Sequence, residues 1–307
     1  MEKPTTGLPN QYALKFLLLI CLVKENKMKL AEFTKKKDFL ICVDSDGCAM
    51  DTMDIKHIKC FGPCMVTEWN LEEWAEPILA RWNEINLYTL TRGINRFQGL
   101  LTALLEINEQ YTKIEDIEDL QQWVETTPEH SNNSVKAELE RTGKKIFEKT
   151  LNWSIEVNKQ IAALPDEDKK PYDGVKEALE YAHQYADIAI VSSANHDALV
   201  EEWEMHGLLN SVDVMCSQNE GTKAFCIAEL LKKGYSVSNV MMTGDAVGDM
   251  KAAQKNGVFY YPILVKHESE SWKEFVDVAV QKLVNGEFAG EYQKEKINAF
   301  TENLSGK

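Results

Sequence analysis

With 307 residues, the chain is long enough for one large domain or two ordinary ones, and 44% hydrophobic with 27% charged is a globular composition. A formal net charge of −15 excludes a general binder of nucleic acid or of anionic membrane, while leaving room for a small phosphorylated ligand held by local cations. Seven scattered cysteines, an odd number with several in apolar runs, fit reduced thiols in a cytoplasmic protein better than a disulfide framework.

Ala13 to Val23 is strongly apolar but falls short of the about 20 residues that cross a bilayer. It could also be read as a signal peptide, but no small-residue cleavage site follows it and a lysine-rich stretch does. Met28 opens MKLAEFTKKKDF just ahead of the first strand, and residues 1–37 read as an N-terminal extension. Its first 27 residues are either an upstream continuation of the reading frame or an added surface helix.

Phe39 to Val43 is a short apolar run that suits a strand buried on both faces. It ends in Asp44 and Asp46, followed at once by Gly47. Residues two apart on an extended chain point the same way, so the two carboxylates can face one pocket. Such a pair repels itself unless a cation or a shared proton intervenes. The arrangement reads as a hard-metal site, as a nucleophile with its proton carrier, or as an acidic turn.

From about Met53 to Lys170 the apolar residues recur at helical spacing, as in Phe97, Leu100, Leu101, Leu104 and Leu105. Further helices are expected over 114–125, 134–141 and 145–163, with a linker from Leu164 to Pro171. The stretch reads as an inserted helical domain hinged near Asp51 and Pro171. His57, Cys60 and Cys64 supply only three ligands and no matching half, which argues against zinc. Arg92 and Arg96 lie four apart, so on a helix they would share a face and could grip an anionic leaving group.

After Pro171, strands expected over 187–191, 212–215, 239–242 and 258–261 alternate with helices at 174–185, 197–206 and 222–232 and a helix stopped by Asn256 and Gly257. This is the signature of an α/β fold with a parallel sheet covered on both faces, whose ligands bind beyond the carboxyl ends of the strands. Those tips carry Ser192 and Ser193 in IVSSAN, then Lys223 just inside a helix start, then Gly244, Asp245 and Asp249 in MMTGDAVGDM. Hydroxyls and free amides suit a phosphate oxygen, and acids on successive turns suit Mg2+. Each also has an ordinary reading as a cap or a surface residue.

Taken in order and spacing, the four pieces resemble the haloacid dehalogenase superfamily of phosphohydrolases. Asp44, Asp46, Gly47, Asp51 and Thr52 are similar to its first motif and cap hinge. Ser192 is similar to the second, Lys223 to the third, and Gly244, Asp245 and Asp249 to the fourth. Cys48 departs from the usual Thr or Val and is expected to be structural. The resemblance implies a doubly wound, Rossmann-like core at 38–53 and 171–307, with an all-helical cap at 54–170.

It further implies that Asp44 is the nucleophile and Asp46 the general acid and base, with Ser192 and Lys223 holding the phosphoryl oxygens. Mg2+ would lie on Asp44, Asp46 and Asp245, with Asp249 ordering its waters. Apart from the resemblance, Ser193 at its strand tip and the pair Arg92 and Arg96 are expected to contact substrate. The expected activity is a Mg2+-dependent phosphatase of a small metabolite, with neither nucleic acid nor membrane as partner. The alternatives are a phosphomutase on the same site, or a non-catalytic phosphoryl-binding protein.

Overall fold

The computed structural model describes residues 29–305; the apolar run Ala13–Val23 and Cys21 lie outside the described residues. In chain order the elements are β1 (Phe39–Val43), α1 (Met53–Lys56), α2 (Gly62–Trp69), α3 (Ala75–Asn83), α4 (Arg96–Gln110), α5 (Ile117–Thr126), α6 (Asn132–Thr142), α7 (Lys145–Ala162) and α8 (Val175–Ala182). There follow β2 (Ala186–Val191), α9 (His196–Met205), β3 (Val214–Cys216), α10 (Lys223–Leu231), β4 (Val240–Gly244) and α11 (Val247–Asn256). The last are β5 (Phe259–Pro262), α12 (Glu268–Glu274), α13 (Val280–Val284) and α14 (Glu291–Leu304).

The strands form one parallel sheet in the order β3-β2-β1-β4-β5, as an α/β fold requires. β1 is central, paired Ile41 to Ile188 on one side and Ile41 to Met241 on the other. Its alternate residues feed two different cores. Ile41 and Val43 join Ile188, Met241, Trp203 and Trp272 beneath α8, α9 and α12, whereas Leu40 and Cys42 join Val214, Met242, Ile227 and Phe300 beneath α10, α11 and α14. That two-sided burial is why the strands read as largely apolar runs.

Residues between β1 and α8 form helices around a third apolar cluster of their own, centred on Trp82, Leu100, Leu104, Phe147 and Trp153. The chain enters and leaves this helical domain side by side. Asp51 N–H donates to Lys170 O at 2.7 Å and Tyr172 N–H to Ala49 O at 3.0 Å. Boundaries differ slightly from expectation where a side chain intervenes. α5 starts at Ile117 because Asp116 sits at φ +57° and Asn108 holds the Ile114 N–H. β3 starts at Val214 because the Asp213 carboxylate accepts from Ile188 N–H. Before β1, Phe33 is buried against the core, and Lys36 and Lys37 donate backbone N–H to Asp187. Among the described residues no helix is long and apolar enough to cross a membrane.

Candidate active site at the strand tips

Beyond β1 the chain turns back on itself. Ser45 O accepts from the N–H groups of Cys48, Ala49 and Met50, and Gly47 N–H donates to Met50 O at 2.8 Å. Two buried tryptophans pin this loop: Trp203 Nε1 donates to Ser45 Oγ and Trp272 Nε1 to Cys48 O, both at 2.9 Å. Gly47 is the residue the turn cannot replace. Its φ is +81°, and a Cβ there would lie 2.5 Å from both Arg92 Nη2 and Asp245 Oδ2. Gly47→Ala is therefore expected to cost at least about 1 kcal/mol from backbone conformation alone, with the charged pair displaced as well. A thermal melt that matches the wild type would refute this.

Three carboxylates converge over the tips of β1 and β4. Oxygens of Asp44, Asp245 and Asp249 lie within 4.8 Å of one another, and all three residues are buried. Lys223, the first residue of α10, reaches into them: its Nζ is 2.7 Å from Asp44 Oδ2 and 2.6 Å from Asp249 Oδ1. Asp249 also accepts from Ala246 N–H through Oδ2 at 3.1 Å. Gly244 makes room for it, since a Cβ there would meet the Asp249 carboxylate at 2.4 Å. Burial pushes the carboxyls of Asp44, Asp245 and Asp249 up to about 6 against the pull of Lys223 and Arg92. Asp245 Oδ1 is buried without a partner. A buried acceptor left open among crowded acids fits a hard divalent cation, so the residues present suit Mg2+.

Asp46 faces a different neighbourhood. Its Oδ1 accepts from Thr52 Oγ1 at 2.5 Å and from Lys56 Nζ at 2.7 Å, and Lys56 lies 3.3 Å from Glu202 of α9. Burial would raise the Asp46 carboxyl, but the Lys56 ammonium and the hydroxyl of Thr52 hold it below the usual carboxylate range. Lys56 is itself held charged, because Asp46 and Glu202 outweigh its burial. Neither Lys56 nor Glu202 is evident from the sequence. Nothing local marks them, because their pairing joins the first turn after the hinge to a helix far along the chain.

At the tip of β2, Ser192 is buried and its Oγ accepts from Ala194 N–H at 3.1 Å, leaving its hydroxyl hydrogen free to donate; Ser193 beside it is exposed. The expectation that Arg92 and Arg96 share a helical face is wrong. α4 begins only at Arg96, with Asn95 as its cap, and Gly93 at φ +71° carries the preceding residues in a turn. Arg92 points into the carboxylates, its Nε 2.6 Å from Asp245 Oδ2. Arg96 instead lies over the Phe61 ring at 5.0 Å and donates to Asn158 Oδ1 at 2.7 Å. Cys48 is buried with its thiol 3.6 Å from Thr243 O, and burial raises that thiol well above its ordinary range. His57 stacks on Phe61 with ring centroids 4.6 Å apart.

Comparison with known proteins follows the same lines. A sequence profile described as haloacid dehalogenase-like hydrolase matches residues 94–262, which include Ser192, Lys223, Asp245 and Asp249 but not Asp44 or Asp46. The sequence matches no curated protein. Among solved structures, a candidate phosphoglycolate phosphatase from Lactobacillus delbrueckii subsp. bulgaricus is similar at TM-score 0.51 and 13% identity, covering 78% of this chain and 99% of that one. That likeness supports the fold. A haloacid dehalogenase-like family hydrolase from Streptococcus pneumoniae, SP0104, is similar at TM-score 0.42 and 13% identity, with 77% of this chain and 90% of that one covered.

Proposed function

The chain belongs to the haloacid dehalogenase-like hydrolase family, and from that premise we propose that it is a Mg2+-dependent phosphatase of a small phosphorylated metabolite, working through an aspartyl-phosphate intermediate. One observation carries this reading: Asp44 lies beside Lys223, and Asp46, two residues on, lies beside a separate cation, Lys56. The two carboxylates are thereby given different electrostatic settings, which a nucleophile and a proton carrier need. Residues 54–170 would form the cap over a core of 38–53 and 171–307, as their separate apolar cluster and paired crossings support. A reducing, cytoplasmic location fits the free thiols of the six described cysteines.

In this reading an Asp44 carboxylate oxygen bonds to phosphorus as the bond from phosphorus to the leaving oxygen breaks. Asp46, ionised beside Lys56 before substrate arrives, takes up a proton as the arriving phosphoryl anion raises its proton affinity, and then gives that proton to the leaving oxygen. Water then attacks phosphorus, Asp46 takes the water's proton, and the bond to Asp44 breaks to release phosphate. Lys223 and the Ser192 hydroxyl hold the phosphoryl oxygens, where charge develops. Asp44, the Asp46 carbonyl and Asp245 would hold Mg2+, with Asp249 ordering its waters; when bound it offsets the charge of the cluster and of the phosphoryl group.

The direct test is turnover of an aryl phosphate by the full chain. Hydrolysis is expected with Mg2+ and is expected to vanish with a chelator; a folded protein inactive across a panel of phosphorylated metabolites would overturn the reading. The metal assignment has its own test. Carboxyls raised to about 6 hold protons that an unfolded chain, with a value near 3.8, releases earlier. Their stabilising effect on the metal-free protein is present at low pH and is lost as pH rises through about 6. Mg2+ should replace those protons, so the gain in Tm from added Mg2+ should be larger near about pH 7.5 than near about pH 5. Equal gains at both would show that these three carboxyls are not the ligands.

A further inference from the structure

Arg92 comes from the helical domain and ends inside the carboxylates of the sheet domain. Its Nε donates to Asp245 Oδ2 at 2.6 Å, its Nη1 donates to Leu87 O at 2.8 Å, and Nη1 lies 3.6 Å from Asp54 Oδ1. The turn that carries it is pressed onto the tip of β4, for a Cβ on Gly93 would stand 2.7 Å from the Ala246 Cβ. The side chain is fully buried, yet Nη2 has no partner, and neither has Oδ1 of the Asp245 it grips. One ion pair thus keeps a donor and an acceptor open in a place where each is costly to leave unmet.

The charges around it are unbalanced. Among the described residues, the acids of this cluster (Asp44, Asp46, Asp54, Asp245, Asp249 and Glu202) outnumber the cations beside them (Lys56, Arg92, Lys169 and Lys223) by six to four. A divalent cation would offset that excess, but it would have to share Asp245 with the guanidinium. Two cations on one carboxylate repel each other, and within a few ångströms in a buried site that repulsion is large. A phosphoryl oxygen accepting from Nη2 would relieve it. The open donor and the open acceptor therefore call for ligands of opposite charge, and each ligand makes room for the other.

Building on the phosphatase reading, we infer that Arg92 couples the two ligands. Reaching in from the helical domain, it holds divalent-cation affinity down until a phosphoryl anion takes its free N–H, and then cation and anion bind together. Coupling of this kind is reciprocal, so phosphate must also bind more tightly in the presence of the metal.

The test is calorimetric titration of the full, metal-free chain with Mg2+, with and without saturating inorganic phosphate. In the wild type phosphate is expected to tighten Mg2+ binding by about 5- to 150-fold. Arg92→Met, neutral and matching the arginine stem only as far as Nε, is expected to bind Mg2+ alone about tenfold tighter than wild type, and to lose most of the effect of phosphate. Arg92→Lys, which keeps the charge without the fork of donors, should bind Mg2+ alone as weakly as wild type and recover only part of the phosphate effect. Unchanged Mg2+ affinity in a folded Arg92→Met, or an undiminished phosphate effect, overturns the role. So does a wild-type Mg2+ affinity indifferent to phosphate, a result that needs no variant to fold. Aryl phosphate hydrolysis without coupling would remove this role for Arg92 and leave the phosphatase reading standing. Coupling without hydrolysis would do the reverse.

Discussion

Asp44→Asn is expected to abolish turnover, by about 10⁴-fold or more, without unfolding the protein, since losing a nucleophile costs nearly all of the catalysis. The amide keeps the shape of the side chain but cannot form an acyl phosphate. The fold should tolerate it. Asp44 is only 5% exposed and its carboxyl is pushed up to about 6 mainly by burial, so its ionised form is held at a cost at neutral pH. Replacing it removes one of three crowded charges, and the metal-free variant should melt no lower than the wild type. Asp44→Ala belongs beside it, because Ser45 follows directly and an Asn-Ser pair can slowly revert to Asp. Substantial turnover by both variants would rule Asp44 out as the nucleophile.

Asp46→Asn is expected to be milder, roughly 10²–10⁴-fold, the usual worth of general acid–base catalysis. The loss should depend on the leaving group. An aryl oxygen departs with little help and should suffer least, whereas an alkyl oxygen needs the proton and should suffer most. The variant also leaves Lys56 with only Glu202 as its partner, so a small change in melting temperature is expected either way. Equal losses on aryl and alkyl phosphates would instead mean that Asp46 serves to hold Lys56 in place.

Much of the architecture is legible in the chain because its signals are local. FLICV, ADIAIV and VMMTG are largely apolar on both faces, Asp187 apart, and the structure shows the two sets of alternate residues entering two separate cores. Gly47 carries the tight turn after β1 and Gly244 closes β4 while leaving room for a carboxylate, so Asp44, Asp46, Asp245 and Asp249 could be picked out by spacing. The structure brings Asp44, Lys223, Asp245 and Asp249 together in one cluster.

What local signals could not supply is which charge meets which. Arg92 and Arg96 look like one helical pair, but the left-handed Gly93 and the Asn95 cap separate them, sending one to Asp245 and the other to Phe61 and Asn158. Lys56 looks like an ordinary lysine of an amphipathic run, and its partner Glu202 lies far along the chain on α9. The strands, the helical insertion and the acids at the strand tips are legible in the chain, because period, turn chemistry and spacing act over a few residues. Which of the chain's many cations are buried against those acids is not, because an ion pair between distant residues forms only when the helices and the sheet pack together.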